Sequence, residues 1–242
     1  MDITRSNDVF NPTKFKDNVH VVGAGATGAR VAISLIKMGL PPQQLHVYDF
    51  DKVERHNIGN QPYTNNDIGE YKVDALSKIC ADLEQKRIHT YNMRVNSAEH
   101  DPNTFDGVVF LLTDSFDSRR DIFRNIIQEG FDTKWVIETR MDVLHGIVYS
   151  IPMTIPKIVE KYDGTLDVKD EDVPASPCGT PLSIGSTADI LSGYAIWSFI
   201  YCANFLYGTT RKEILPNDKL PEINKLQFSL RPHIILTSKY GA

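Results

Sequence analysis

Residues 23–28 read Gly-Ala-Gly-Ala-Thr-Gly. They follow a short β-branched run, Val19-His20-Val21-Val22, and lead into a helical stretch from Ala26 to Met38. A G-x-G-x-x-G loop between a strand and a helix constrains a chain severely. Its glycines permit a tight turn and a close approach of the backbone to phosphate, and the helix N-terminus supplies free N–H groups with partial positive charge. Asp49 lies about 20 residues beyond Gly28, at the end of the next strand, where a carboxylate can accept ribose hydroxyls. Gly23, Gly25, Ala26, Thr27, Gly28 and Asp49 are therefore candidate nucleotide contacts. The loop alone does not separate a dinucleotide from ATP.

The rest of the chain continues the alternation. Gln44–Phe50 alternates apolar and polar residues as a half-buried strand does. Asp67–Leu83 has helical periodicity, with Val73, Leu76, Ile79, Cys80 and Leu83 on one stripe. Ile88–Val95 is a third strand, and Gly107–Leu112 is a continuous apolar run of the kind buried on both faces. Ser118–Gln128 reads as a helix, and Trp135–Thr139 and Gly146–Ile151 as strands. This rhythm predicts an α/β fold: a Rossmann-like, doubly wound, mostly parallel sheet with helices on both faces. Pro152–Pro181 holds five prolines and a charged stretch, and reads as a long irregular crossover loop, 152–181. A helix over Ser183–Tyr207 follows, then two strands, Leu226–Leu230 and His233–Ser238, which add an antiparallel C-terminal element. No repeat and no domain boundary appears, so residues 1–242 are expected to form one domain with an N-terminal arm, 1–18.

Composition removes several classes. The formal net charge is −5, which argues against a nucleic-acid binder, since no basic excess exists to neutralise phosphates. Cys80, Cys178 and Cys202 are widely spaced, without a C-x-x-C pair, so neither a disulfide scaffold nor a zinc site is expected. The polar N-terminus lacks a signal-peptide core. The apolar run Ile184–Tyr207 carries Asp189 and reads as a buried helix, not a bilayer span. The expected setting is the cytoplasm, away from membranes.

Beyond the second strand the motifs become specific: Asp49-Phe50-Asp51-Lys52-Val53, then Asn57-Ile58-Gly59-Asn60-Gln61, then Gly69 with Lys72-Val73, then Leu111-Leu112-Thr113-Asp114 with Asp117 and Arg119 just beyond. In this order they resemble the E1-like adenylating family, which includes the ThiF, MoeB and HesA proteins and ubiquitin-activating enzymes. The likeness covers roughly residues 18–205. It implies an ATP- and Mg²⁺-dependent adenylyltransferase that activates a carboxylate, typically the C-terminus of a ubiquitin-like or sulfur-carrier protein. It further implies a homodimer and, in some relatives, a conjugating enzyme downstream.

The resemblance also implies roles. Asp49 would hold the ribose, Lys72 the phosphates and Asp114 the Mg²⁺, with Asp51 a second metal or phosphate-water contact; Asn57, Asn60 and Gln61 would line the phosphate side. Attack of one anion on another needs charge neutralised without a competing nucleophile, which a fixed lysine and a metal ion provide. Taken alone, Lys72 would be a solvated helix lysine and Asp114 a helix N-cap. One departure stands out: the family's N-x-x-R-Q arginine, which contacts the outer phosphates, is Asn60 here. Neutral Asn cannot form a bidentate fork on phosphate. Arg55 and His56 are nearby replacements. A second arginine, supplied in relatives by the partner subunit's N-terminal segment, corresponds to Arg5.

Cys178 precedes the long apolar helix, where a dipole can stabilise a thiolate. In the resemblance it is the candidate thioester- or persulfide-forming nucleophile; the alternative is a small residue under the loop. Cys80 and Cys202 read as core cysteines, His145 as the histidine nearest the pocket, and Phe10 and Phe15 as anchors of the N-terminus across a dimer interface. Two other functions stay open. One is a non-catalytic E1-like subunit that has lost turnover through Asn60. The other is an NAD-dependent oxidoreductase, for which Asp51, Asn57, Gln61 and Lys72 have no role.

Overall fold

Val19–Val22 (β1), Ala26–Lys37 (α1) and Leu45–Tyr48 (β2) form the first βαβ unit of the computed structural model, which describes residues 2–84, 86–168, 184–215 and 225–238. The chain continues through Lys72–Glu84 (α2), His89–Tyr91 (β3), Gly107–Leu111 (β4), Phe116–Ile122 (α3), Thr133–Met141 (β5), His145–Pro152 (β6), Pro156–Asp163 (α4), Gly185–Tyr207 (α5), Lys225–Leu230 (β7) and His233–Ser238 (β8). One sheet holds all eight strands in the order β3-β2-β1-β4-β5-β6-β7-β8. Strands β3 to β5 pair in parallel, and β6, β7 and β8 add antiparallel. The expected Rossmann-like, doubly wound sheet with an antiparallel C-terminal extension is what forms.

Side-chain alternation explains why the strands read as unbroken apolar runs. In β4, Val108 and Phe110 enter one core with Leu35, Leu191 and Phe199, while Val109 and Leu111 enter the other with Phe123 and Ile126. Both faces of β4 are covered, so its run is apolar throughout. The helix α5 is long and apolar enough to span a bilayer by length and composition. It packs instead on α1, β5 and β6, and its Asp189 pairs with Arg30 of α1.

Three expectations are corrected. The segment 152–181 does not begin as an irregular loop: Pro156–Asp163 is helix α4, followed by a tight turn at Gly164–Leu166. Proline fits the first helical turn, and Ile158, Tyr162 and Leu166 bury against Phe123 and its neighbours. Arg124 fastens the turn to α3's extension through Asp163 and Asp167. The helix expected from Asp67 starts only at Lys72, because Gly69 takes φ +91° and breaks it. Phe10 and Phe15 do not reach across an interface. They are almost fully buried in their own chain, with ring centroids 5.4 and 5.2 Å from that of Phe199.

A histidine ladder crosses the parallel edge. His20, His46 and His89 are in register on β1, β2 and β3, with rings stacked at 4.9 and 4.7 Å. Tyr48 and Tyr91 stack beside them, and their hydroxyls lie 3.1 Å from His20 Nδ1 and 3.0 Å from His46 Nδ1. Burial, reinforced by the two neighbouring histidines against a weaker pull from Asp106, lowers the His46 pKa from 6.5 to about 4. Burial also lowers that of His20, despite the Asp106 carboxylate 2.7 Å away. A base with a depressed folded pKa leaves the unfolded chain with more bound protons below pH 6.5, so stability falls as pH drops from there towards 4. The melting temperature is expected to decline over that window, and His46→Phe to flatten the decline. A melting curve series insensitive to His46→Phe would contradict this.

Candidate active site

The strand order switches between β1 and β4, and the carboxyl ends flanking such a switch are the usual ligand position in these sheets. Two loop glycines are dictated by contact. A Cβ on Gly28 would lie 1.8 Å from the carbonyl oxygen of Gly23, and one on Gly23, which holds φ +102°, would lie 2.6 Å from the carbonyl oxygen of Leu112. Gly25 caps α1 and has open space where its Cβ would be. Ala26 opens the helix, and Thr27 is buried, with its hydroxyl 4.0 Å from Met141 Sδ.

Asp49 follows β2 directly. Its carboxylate accepts N–H bonds from Ala24 at 2.6 Å and from Asp51 at 2.8 Å, so it ties the glycine loop to its own turn. Burial pushes its pKa up, against the opposing pull of Lys72 and those two N–H donors. Lys72 is the first residue of α2 and is nearly buried; its Nζ lies 2.8 Å from Asp51 Oδ2. The Asp51 carbonyl also accepts from the Lys72 N–H, so one loop brings Asp49, Asp51 and Lys72 together. The Tyr63 hydroxyl donates to the Ala24 carbonyl at 2.7 Å and braces the glycine loop from below.

Asn57 is buried and shapes the turn after β2, where its Oδ1 accepts the Glu54 N–H at 2.8 Å. Asn60 and Gln61 end that turn. Gln61 Oε1 is buried without a hydrogen-bond partner, as is Thr113 Oγ1 beside Gly23. Orphaned buried polar atoms fit a site that a polar ligand or water completes. Asp114 is exposed at the end of β4. It is not the helix cap, because Ser115 fills that place and accepts the Ser118 N–H at 3.0 Å. Among the described residues no three His, Cys, Asp or Glu side chains converge as a metal site. Asp114 and Asp51 each offer a single carboxylate, and a Mg²⁺ that arrives with phosphate takes only one or two carboxylates from a protein.

Other candidates fall outside this cluster. Arg55 is exposed, and His56 pairs at 3.4 Å with Glu54. His145 opens β6 and pairs with Asp142 at 3.0 Å. Arg5 is exposed near the far end of α1, where Ile3 packs at Gly39. That end is about 18 Å from the glycine loop, given the rise of a twelve-residue helix. Cys178 lies outside the described residues. Cys80 and Cys202 are buried free thiols; burial pushes the Cys80 pKa up to about 12 and raises that of Cys202 well above its ordinary value.

The sequence did not single out Glu138, which is wholly buried on β5 opposite Leu111 of β4. Its carboxylate meets Arg119 at 3.1 Å and Arg140 at 3.0 Å. Arg119 in turn donates to the carbonyls of Thr113 and Thr139, so this triad holds the turn that carries Asp114. A strand glutamate in an apolar run was the available signal.

A glycine loop at a helix N-terminus, a carboxylate at the end of β2 and a nearly buried lysine thus gather beside the switch point of a Rossmann-like α/β sheet. The sequence profile of the ThiF family matches residues 14–231, and the chain belongs to that family. It is 30% identical over 116 residues to ubiquitin-like modifier-activating enzyme 5 of Drosophila pseudoobscura pseudoobscura, and 27% identical over 117 residues to the Drosophila virilis enzyme. The matched stretch spans 45% and 48% of this chain but only 29% and 28% of those proteins. Among solved structures, PaaA superposes with a TM-score of 0.63 at 18% identity, over 94% of this chain and 65% of that one. E. coli MccB solved with ATP gives 0.62 at 12% identity, over 95% and 66%. At such identities the likeness is one of fold.

Proposed function

We propose that this chain is an ATP-dependent adenylating enzyme acting on a carboxylate. The observation that carries the reading is Lys72: a nearly buried ammonium held at 2.8 Å by Asp51 beside Asp49 and the glycine loop. A dinucleotide oxidoreductase has no use for a buried cation there, whereas a triphosphate does. In this reading Asp49 takes the ribose, the N–H groups at Gly25, Ala26 and Thr27 face the phosphates, and Asp114 and Asp51 hold Mg²⁺. The metal, when bound, would neutralise phosphate charge. A substrate carboxylate oxygen attacks the α-phosphorus, the bond from that phosphorus to the bridging oxygen breaks, and pyrophosphate leaves. Lys72 steadies the charge on the phosphates throughout, and the orphaned Gln61 and Thr113 atoms offer positioning contacts.

The acceptor in this reading is the C-terminus of a ubiquitin-like protein, a sulfur carrier or a peptide. Supporting it are relatives named for activating a ubiquitin-like modifier and a structural neighbour, MccB, solved with MccA. The Cys178 thiolate would then attack the acyl carbonyl and expel AMP, forming a thioester for a conjugating enzyme. A homodimer would bring the partner subunit's N-terminal segment to the site, since Arg5 cannot reach its own. Free buried thiols at Cys80 and Cys202 fit a cytoplasmic setting.

Calorimetric titration with ATP and magnesium, with NAD as control, tests the reading. ATP binding followed by pyrophosphate exchange with C-terminal glycine peptides is the expected result. Binding without exchange for any acceptor would favour a non-catalytic E1-like subunit, with Asn60 as the cause. Binding of NAD in place of ATP would overturn the adenylation reading.

A further inference from the structure

Arg30 sits in the first turns of α1, the helix opened by the glycine loop. Its Nη1 donates to the Ala26 carbonyl at 2.8 Å and to the main-chain carbonyl of Asn60 at 2.6 Å. Its Nε pairs with Asp189 of α5. The guanidinium thus lies where the glycine loop, the Asn57–Gln61 turn and the start of α5 meet. Gly185 leaves it room: a Cβ there would stand 3.3 Å from Arg30 Nη2. The Arg30 side chain is 17% exposed and that of Asp189 65% exposed. The acidic partner is therefore well solvated, and a solvent-facing pair of this kind is weak and easily exchanged.

We propose that Arg30 is the cation that contacts the outer phosphates of the bound nucleotide, supplying from α1 the positive charge that the Asn60 turn lacks. The proposal rests on the ATP-dependent reading above. Nucleotide phosphates gather at the N-terminus of α1, and each phosphate beyond the first adds negative charge on the side of the Asn60 turn. Arginine suits the role through its planar fork and permanent charge. Contact with phosphate replaces the Asp189 bond, while the bonds to the Ala26 and Asn60 carbonyls keep the guanidinium between the glycine loop and the Asn57–Gln61 turn. Asp189 then acts as a placeholder counter-ion in the empty site.

Dissociation constants for AMP, ADP and ATP, each with magnesium, test this in wild type, Arg30→Met, Asp189→Asn and the double variant Arg30→Met/Asn60→Arg. Arg30→Met is expected to weaken ATP and ADP by about tenfold or more, the size of a lost charge-assisted bond, and to leave AMP nearly unchanged. Asp189→Asn is expected to tighten ATP relative to AMP. The added arginine at position 60 is expected to restore the ATP preference. Equal losses for AMP and ATP would overturn the proposal, because a residue that only ties α1 to the turn moves both alike. So would an Asp189→Asn protein with an unchanged ATP-to-AMP ratio, a readout that stands even if Arg30→Met fails to fold. Wild type that binds AMP but prefers neither ADP nor ATP would sink the Arg30 assignment alone. Wild type that binds no adenine nucleotide would remove the underlying reading as well.

Discussion

Glu138→Ala is expected to lower folding stability by about 3–5 kcal/mol, the usual loss when one partner of a buried ion pair is removed. For a chain of this size that corresponds to a fall in melting temperature of roughly 6–20 °C. The reason is what the carboxylate leaves behind. Arg119 and Arg140 both point at it from positions of low exposure, and neither guanidinium has room to reach water without disturbing its other bonds. Arg140 also lies against the rings of Phe116 and Tyr149, at 4.9 and 4.7 Å, so its charge stays where it is. Glu138→Gln keeps the shape and one acceptor, and should lose less. Replacing Glu138, Arg119 and Arg140 together by apolar residues should lose less than Glu138→Ala alone, since it removes the orphaned charges with their partner. Differential scanning calorimetry of the set would decide it: an alanine variant melting within about 2 °C of wild type would mean that water reaches the arginines and the triad is not sealed.

The triad also marks the limit of what the sequence discloses. Gly23, Gly28 and Asp49 were legible because their roles are local. A missing side chain permits one backbone contact, and a carboxylate at a strand end has only one crevice to face. Asp51 and Lys72 were legible through the order of motifs, and a single loop brings them within 2.8 Å. Arg30, Tyr63 and Glu138 were not, because their partners lie far along the chain and no spacing rule links them. Arg30 meets Asp189 across the whole fold, and in the sequence it is one more polar residue on a helix. Helix α4 was hidden by prolines read as breakers, although Pro156 sits where proline begins a helix and Ile155, Ile158, Val159 and Tyr162 repeat at helical spacing. Phe10 and Phe15 carried no periodicity at all. Only the packed sheet reveals the slot beside Phe199 that they fill. Gly69 works the other way: its positive φ delays α2 until Lys72, and that delay sets the lysine at the helix start, facing Asp51, instead of one turn inside.

That placement makes Lys72 the residue whose loss should cost the most activity. In the adenylation reading, Lys72→Ala is expected to lower pyrophosphate exchange by about 10²–10³-fold, the range seen when one preorganised electrostatic contact to developing charge is deleted. The effect has two parts. The phosphates lose a fixed cation at the moment when pyrophosphate departs. Asp51, and Asp49 behind it, lose the ammonium that balances them, so two carboxylates then confront an incoming polyanion. Asp51→Asn separates these parts: it removes one of the opposing charges while keeping a hydrogen-bond acceptor for Lys72, and it should weaken exchange less than Lys72→Ala does. In the Lys72→Ala background, Asp51→Asn should recover part of the nucleotide affinity but little of the turnover, because relief of repulsion acts on the bound ground state whereas the ammonium acts on the leaving group. Lys72 opens α2, so thermal melting of each variant must accompany the kinetics. A Lys72→Ala protein that melts like wild type and exchanges pyrophosphate within threefold of it would show that the charge comes from elsewhere in the crevice, with Arg30 the first place to look.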